Sequence, residues 1–583
     1  MYIAQLECKR IQTFLFASSR LRDMVAANAL LGHTLRIELV KAAINNNSCS
    51  PEGTTSPLTG KTTGKDTAIS DWSTTEMFSH GILSRDGGHF YALFPDKKKA
   101  ESFITVAHSI LQENLPGIAA EYAIFEHNSP QSQHCFTSLT FTQPPELPIF
   151  ARCQQSGHGA AEKSTKRLLN DTKLQPTKRY ISRITSKKNE HFYNTFKKAI
   201  EFTSGDYASE QMQQWVEDEK SISDFDALAG SDYLAVISAD GNNMGARFKQ
   251  YLNKKDPNHQ ASFIDNQKCA EAFFSSARNA LKTATQSALN NTFDEIIEQN
   301  KPLPFHLLML GGDDLLLVCR AKQAHKLVQA IDTHLQQHPI ADDHPLTMAY
   351  GIAIASYTLP FYRLYHCAEA LNASAKVLAR SQAAPQNGIQ PSGLDWQIVT
   401  QSWIDDPIAE RKKHKIVRYR EQTKDITLLL TQKPYLLANN TPDTESPFAR
   451  LNTLAKALTN PNKADKQQKP GSGQEDNAEP LFARNQLLKL QASLPKGRLQ
   501  SDYLLKNISA KFQLNDLSEE VRKAWEQCFG SVSSAEAFSL LDKTENNHPY
   551  CYTTPLGDLI ELIELQYLQR ENTPDQDTKE SNG

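Results

Sequence analysis

The sequence predicts an α/β chain of the α+β kind, and three observations predict it. Between residues 233 and 379, short apolar runs alternate with segments of helical period in the order β-α-β-β-α-β. A hairpin pattern, LLMLGGDDLLLVC at residues 307–319, sits at the centre of that unit. Beyond about residue 400 the strand signals stop and helical patterns such as NQLLKLQASL and SEEVRKAWEQCF take over.

The elements follow in chain order. The opening YIAQLEC reads as a strand, Ile11 to about Ala43 as a helix, and Phe90–Phe94 as a second strand. Residues 45–66 are rich in Ser, Thr, Gly and Asn, a composition for an inserted loop that builds no core. From about 150 to 225 the chain turns polar and basic, with helical patterning near Glu190–Ile200, which suggests a small connector. The central unit then runs strand Tyr233–Ala239, helix Ser262–Leu289, strand His306–Leu310, strand Leu315–Cys319, helix Ala321–Gln337, strand Leu346–Ser356 and helix Phe361–Ala379. Its order is the ferredoxin-like arrangement, of which the palm domains of polymerases and cyclases are variants. In the helical C-terminal region, Asp516 followed by Glu519 suits a helix start. Residues 460–480 and the tail read as disordered by composition.

A chain of 583 residues is too long for one ordinary core, and the expected domains are 1–150, 151–225, 226–400 and 401–583. Lys and Arg number 63 against 66 Asp and Glu, a formal charge of −3, so no global positive field draws the chain to bare nucleic acid. Nine cysteines without paired spacing, and charges where a signal peptide needs apolar residues, suggest a reducing cytoplasmic setting. No apolar run is long enough for a membrane helix, so no membrane partner is expected.

Two apolar strands flank Gly311, Gly312, Asp313 and Asp314. Glycines allow a tight turn and close approach of a ligand to the backbone, and adjacent carboxylates can hold hard cations such as Mg²⁺ or Mn²⁺. An ordinary β-turn is the plain alternative. A second feature is YLAVISADGNNMGARF, an apolar strand ending in Asp240 and followed by a small loop and a helix-competent segment. In a β-α-β-β unit that strand neighbours the hairpin, so Asp240 is expected to face Asp313 and Asp314. Three such carboxylates repel one another unless a cation lies among them. Gly241, Asn242, Asn243 and Gly245 then offer backbone to phosphates, together with Gly311 and Gly312. Lys376, on the helix after YGIAIAS, would place a point charge on a triphosphate; a solvent-facing lysine is the alternative.

These residues resemble the large, polymerase-like subunit of type III CRISPR effector complexes. The resemblance rests on RIQTFLFASSRLRDMVAANALL near the start, GGHFYALF at 87–94, ADGNNMGARF at 239–248, and the stretch from LGGDDLLLV to the end of YGIAIASYTLPFYRLYHCAEALNASAKV at 310–377. It implies two palm domains, the second bearing GGDD, that convert ATP into cyclic oligoadenylate when target RNA is bound. It implies as partners the other subunits, crRNA and target RNA. The first palm's hairpin, Gly87-Gly88-His89-Phe90, has no carboxylate matching Asp313 and Asp314, so it is expected to hold a second nucleotide rather than metals. Arg20, Arg22 and Asp23 match a polar stretch of the family's opening helix and could line that pocket; charges on a helix surface are the plain alternative.

Departures from the family qualify this expectation. No His-Asp dipeptide occurs and the palm begins at residue 1, so DNase activity is not expected. The place of the family's zinc knuckle is taken by RCQQSGHGAAEK at 152–163, where Cys153 remains but the second position is Ser156, and no zinc is expected there. His158 reads as a polar loop residue. Asn242 stands where some relatives carry a further acid. GKTTGK at 60–65 lacks Walker A spacing, and the basic run Lys178–Lys188 reads as a solvated surface or an RNA-phosphate contact. Two other functions are open on the sequence: a silent scaffold that binds ATP structurally, and a stand-alone GGDEF-like dinucleotide cyclase.

Overall fold

The computed structural model describes the chain except residues 17–20, 54–68, 70–71, 129–134, 142–148, 155, 158, 167–177, 189–227, 229–232, 258–260, 299–304, 383–388, 401–405, 438–445, 460–483, 510–518, 531–534, 542–549 and 568–583. Arg20, His158, Asp516, the helical stretch near 190–200, the sequence GKTTGK, the 460–480 segment and most of the 45–66 insertion lie outside the described residues.

The first unit runs β1 (Tyr2–Lys9), α1 (Ile11–Leu15), α2 (Leu21–His33), α3 (Leu39–Asn45), α4 (Thr74–Ser79), β2 (Ile82–Ser84), β3 (His89–Phe94), α5 (Lys97–Asn114), β4 (Ala119–Glu126) and β5 (Thr137–Ser138). Its sheet has the order β2-β3-β1-β4-β5. The single helix expected over 11–43 is thus divided, with a π turn over Thr34–Glu38. A two-stranded ribbon follows, β6 (Lys163–Lys166) and β7 (Lys178–Ile181).

The second unit runs β8 (Tyr233–Gly241), α6 (Met244–Lys255), α7 (Phe263–Glu298), β9 (Phe305–Gly311), β10 (Asp314–Arg320), α8 (Ala321–Gln337), β11 (Met348–Ser356), α9 (Phe361–Ser381) and β12 (Gly393–Val399). Its strands β11-β8-β10-β9 repeat the order β4-β1-β3-β2 of the first sheet. Both units are β-α-β-β-α-β with the first strand central, which is the ferredoxin-like pairing. Alternation along β8 splits its side chains. Ala235, Ile237 and Ala239 enter a core with α7 and α8, whereas Leu234 and Val236 face α9.

The two palms exchange helices. Met24 of α2 lies in the core between the second sheet and α9, and the Asn28 side-chain amide donates to the Leu308 carbonyl of β9 at 2.9 Å. In the other direction Ile264 of α7 joins the core on the outer face of the first sheet, with the Phe263 ring edge-on to Phe125.

The remainder comprises α10 (Pro407–His414), β13 (Ile416–Glu421), β14 (Lys424–Leu429), β15 (Tyr435–Leu436), α11 (Pro447–Thr459), α12 (Arg484–Ser493), α13 (Arg498–Ser509), α14 (Glu519–Phe529), β16 (Ser539–Leu540), β17 (Cys551–Thr553) and α15 (Leu556–Tyr567). The expectation of a helical C-terminal region is corrected here, because a sheet of order β13-β14-β17-β16 forms among its helices. These strands are short and mostly half-exposed, and Thr427 pairs with Cys551 far along the chain. Such segments carry no apolar run for a local reading to detect. Phe448, Trp525 and Ile560 share one core with Trp396 and Leu317, so the second palm and the C-terminal region are packed as a continuous body. No helix of the described residues is long and apolar enough to cross a membrane.

Candidate active site

Asp240 is the penultimate residue of β8, and the antiparallel register sets it directly opposite Asp314 of β10. Leu234 and Val236 of β8 share a core with Leu316 and Val318 of β10, so alternation puts both carboxylates on the face that α9 covers. Asp313 stands at the turn between β9 and β10. Gly312 precedes it with φ +65°, the position at which a II′-type hairpin requires glycine. Gly241 is a close-approach glycine, because a Cβ there would sit 2.8 Å from the Asp313 Cβ and 2.9 Å from its Oδ2. The Gly241 amide also donates to the Asp313 carbonyl at 3.1 Å, which fixes the hairpin tip over the end of β8.

The carboxylates sense one another. Burial first, and then the charge of Asp240, push Asp313 up to about 6. Burial, Asp313 and Asp240 together push Asp314 up to about 7. Lys376 opposes this shift on both, and its ammonium forms an ion pair with Asp240. Among the described residues no three acidic, His or Cys side chains are placed to hold a metal ion together as the side chains stand. The donor set still fits a hard divalent cation: three carboxylates, two of them held above their usual range by burial and by mutual repulsion that a cation would offset.

The loop after Asp240 is tied down from below. The Asn242 backbone amide donates to the Thr347 carbonyl at 2.8 Å, and its side-chain amide donates to the Pro391 carbonyl at 3.0 Å. Asn242 is therefore buried, and its structural bonds argue against direct ligand contact. Asn243 adopts the left-handed conformation with φ 56° and launches α6. A Cβ at Gly245, Gly311 or Gly312 would meet nothing within 4 Å, so these positions border open space beside the carboxylates.

The turn of the first palm is built differently. Gly87 and Gly88 both have positive φ, and a Cβ on Gly88 would strike Ile11 of α1. Phe90 is core, while His89 is exposed, with Nε2 4.0 Å from Glu7 of β1. Among the described residues no hydrogen bond, ion pair or ring contact links Gly87, Gly88 or His89 to Asp313 or Asp314. The link between palms at this turn runs instead from Asp86 to Arg278 of α7. Asp23 is buried, and its charge acts on Lys188, whose ammonium donates to the Phe14 carbonyl at 2.9 Å. Within the basic run, Lys188 is thus a buried contact rather than a solvated one.

Sequence reasoning missed a polar stripe on α9. Glu369 accepts from the Ser238 hydroxyl at 3.0 Å, the Asn372 side-chain amide donates to the same hydroxyl at 3.4 Å, and the charge of Glu369 adds a little to the upward push on the Asp314 carboxyl. With Lys376 these residues fall at i, i+3 and i+7, one face of a helix, and that spacing is the available signal. Gly351 of β11, opposite Ser238, makes the approach possible: a Cβ would lie 2.1 Å from the Ala368 carbonyl oxygen and 2.4 Å from the Asn372 nitrogen. Gly351→Ala must push α9 off the sheet. A loss of about 3 kcal/mol is expected in denaturant unfolding, and an unchanged midpoint would show that α9 yields freely.

Residues 233–384 match the family model described as Cas10/Cmr2, second palm domain. No curated protein matches the chain. Among solved structures, one of a Csm1–Csm4 cassette in complex with cA4 is 10% identical with a TM-score of 0.45, covering 97% of this chain and 69% of that one. One of Csm1 in T. onnurineus is 12% identical with a TM-score of 0.46 and the same coverage. A Csm1–Csm4 cassette in complex with one ATP is 12% identical with a TM-score of 0.34, covering 66% and 55%.

Proposed function

We propose that this chain is an RNA-activated nucleotidyltransferase, which makes cyclic oligoadenylate from ATP as the large subunit of a type III CRISPR effector complex in the cytoplasm. The observation that carries the reading is the Asp240–Asp314 register with Asp313 at the adjoining glycine turn. The match of this segment to a second palm domain supports the same reading.

In this reading Asp240, Asp313 and Asp314 hold Mg²⁺ or Mn²⁺, which would supply charge neutralisation for the attacking and departing oxygens. The backbone of 243–245 and the open side of Gly311 and Gly312 lie against the triphosphate, while Gly241 and Asn242, whose amides are taken by Asp313 and Thr347, hold that loop in place. Lys376 exchanges part of its contact with Asp240 for phosphate oxygens. Glu369, through Ser238, keeps β8 in place two residues before Asp240. The 3′-oxygen of one ATP bonds to the α-phosphorus of another, the bond to the bridging oxygen breaks, and pyrophosphate leaves as the hydroxyl proton passes to solvent. The second nucleotide rests against the first palm near Gly87, Gly88 and His89. Companion subunits, crRNA and target RNA hold the chain in its active arrangement.

Radiolabelled ATP, supplied to the reconstituted complex with target RNA, should give pyrophosphate and a cyclic product identified by mass spectrometry. Asp240→Ala should abolish both. ATP binding without pyrophosphate release in the native complex would establish the silent-scaffold reading instead. Lys376→Ala should raise the KM for ATP about tenfold, the effect of losing one charge-assisted phosphate contact, with a smaller change in kcat. An unchanged KM would restrict Lys376 to its pairing with Asp240.

A further inference from the structure

The connector contains four side chains that meet at one point. Cys153 and Ser156 are separated by two residues within the bend that precedes β6, and Ser182 and Thr185 are separated by two residues just after β7. The Thr185 hydroxyl is the hub, with Cys153 Sγ at 3.3 Å, Ser182 Oγ at 3.1 Å and Ser156 Oγ at 3.2 Å. Each pair also closes on itself: the Ser156 amide donates to Cys153 Sγ at 3.4 Å and the Thr185 amide donates to Ser182 Oγ at 3.4 Å. Gly157 and Gly159 take positive φ in the first bend, and the Gly157 amide donates to the Cys153 carbonyl at 2.9 Å. All four side chains are buried or half-buried.

Two x₂-spaced pairs on facing bends, each with an amide aimed at its first side chain, form the frame on which four thiolates hold a tetrahedral Zn²⁺. One thiol and three hydroxyls do not fit zinc, because hydroxyls stay protonated and are poor ligands for it. We infer that this quartet is a metal-knuckle frame closed by hydrogen bonds to Thr185 in place of a metal, and that the three hydroxyl residues alone separate it from a Zn²⁺ site. The bonds also have a structural task. Ser182 caps the turn 183–188, which delivers Lys188 to the Phe14 carbonyl at the base of the first palm.

The full chain carrying S156C, S182C and T185C together, prepared under reducing conditions with zinc, should hold about one more Zn²⁺ per chain than the native protein by metal analysis. Its Co²⁺ form should show the intense visible bands and the thiolate charge-transfer absorption of a tetrahedral tetrathiolate site. Should the triple variant fold only when zinc is present, the inference is supported, since metal binding then drives folding. S156C with S182C, which retains the Thr185 hub, provides a second variant and should bind Co²⁺ through three thiolates with weaker bands. A folded triple variant with no zinc above the native level, or with an octahedral Co²⁺ spectrum, overturns the inference. So does stoichiometric zinc in the native chain.

Discussion

The chain carrying Asp313→Ala and Asp314→Ala together is expected to lose ATP conversion by at least about 10³-fold, while melting at a higher temperature than the native chain in divalent-free buffer. The loss follows from removing two of the three carboxylates that face one another at the hairpin. The gain follows from the same geometry. Asp314 is pushed up to about 7 and Asp313 to about 6, so at neutral pH the folded chain must hold charges that burial and neighbouring carboxylates disfavour. Both folded values lie above the unfolded carboxylate range, so the folded state binds more protons between about pH 4 and pH 7 and native stability falls as pH rises through that window. The variant should therefore match the native chain near pH 4 and exceed it by about 1–3 kcal/mol at pH 8. Millimolar Mg²⁺ should raise the native melting temperature and leave the variant's unchanged, because only the native chain offers the cation its ligands. An equal shift in both would place the cation elsewhere.

The second palm was legible because its strands are long, apolar and bounded by sharp turns. The register of β8 with β10 follows from the β-α-β-β order, which is why Asp240 could be set opposite the hairpin without coordinates. Lys376 stood out as a charge on the helix that follows YGIAIAS, but its pairing with Asp240 needed the helix placed in three dimensions. Glu369 and Asn372 were missed because a polar residue on a buried helix face reads the same as one on the solvent face until the sheet beneath is known. Gly351 set that placement, yet a glycine in an apolar strand gives no hint of which backbone will come close. The C-terminal sheet escaped because its pairings, such as Thr427 with Cys551, are remote and its strands too short to carry a period. The Cys153 frame was half visible: the first x₂ pair lies in one bend, but the second pair, Ser182 and Thr185, has no cysteine to mark it.

Asp86→Ala is expected to cost about 2–4 kcal/mol, a little under the roughly 3–5 kcal/mol for removing one partner of a fully buried ion pair, because the side chains here keep some exposure. Asp86 lies just before Gly87 in the first palm's turn. Its carboxylate accepts from Arg36 of the same palm at 2.5 Å and also from Arg278 of α7, which comes from the second. Burial works against the ionised carboxyl, but the charges of Arg36 and Arg278 outweigh it and hold the carboxyl below its usual range. Alanine leaves both guanidiniums, each about one-quarter exposed or less, with one fewer acceptor. Glu271, on α7, meets Arg278 at 3.4 Å, but burial raises its own carboxyl, so it compensates only in part. A depressed carboxyl contributes stability above its unfolded value of about 4 and loses it as pH falls through the lower folded value. The melting difference between Asp86→Ala and the native chain should therefore be full at pH 7 and shrink in acid. Because the pair spans the two palms, the variant should lose cyclic product while retaining the Mg²⁺-dependent rise in melting temperature, since Asp240, Asp313 and Asp314 are untouched. Unaltered product formation would mean that the contacts of Met24 and Asn28 with the second palm suffice to hold the two nucleotides in register.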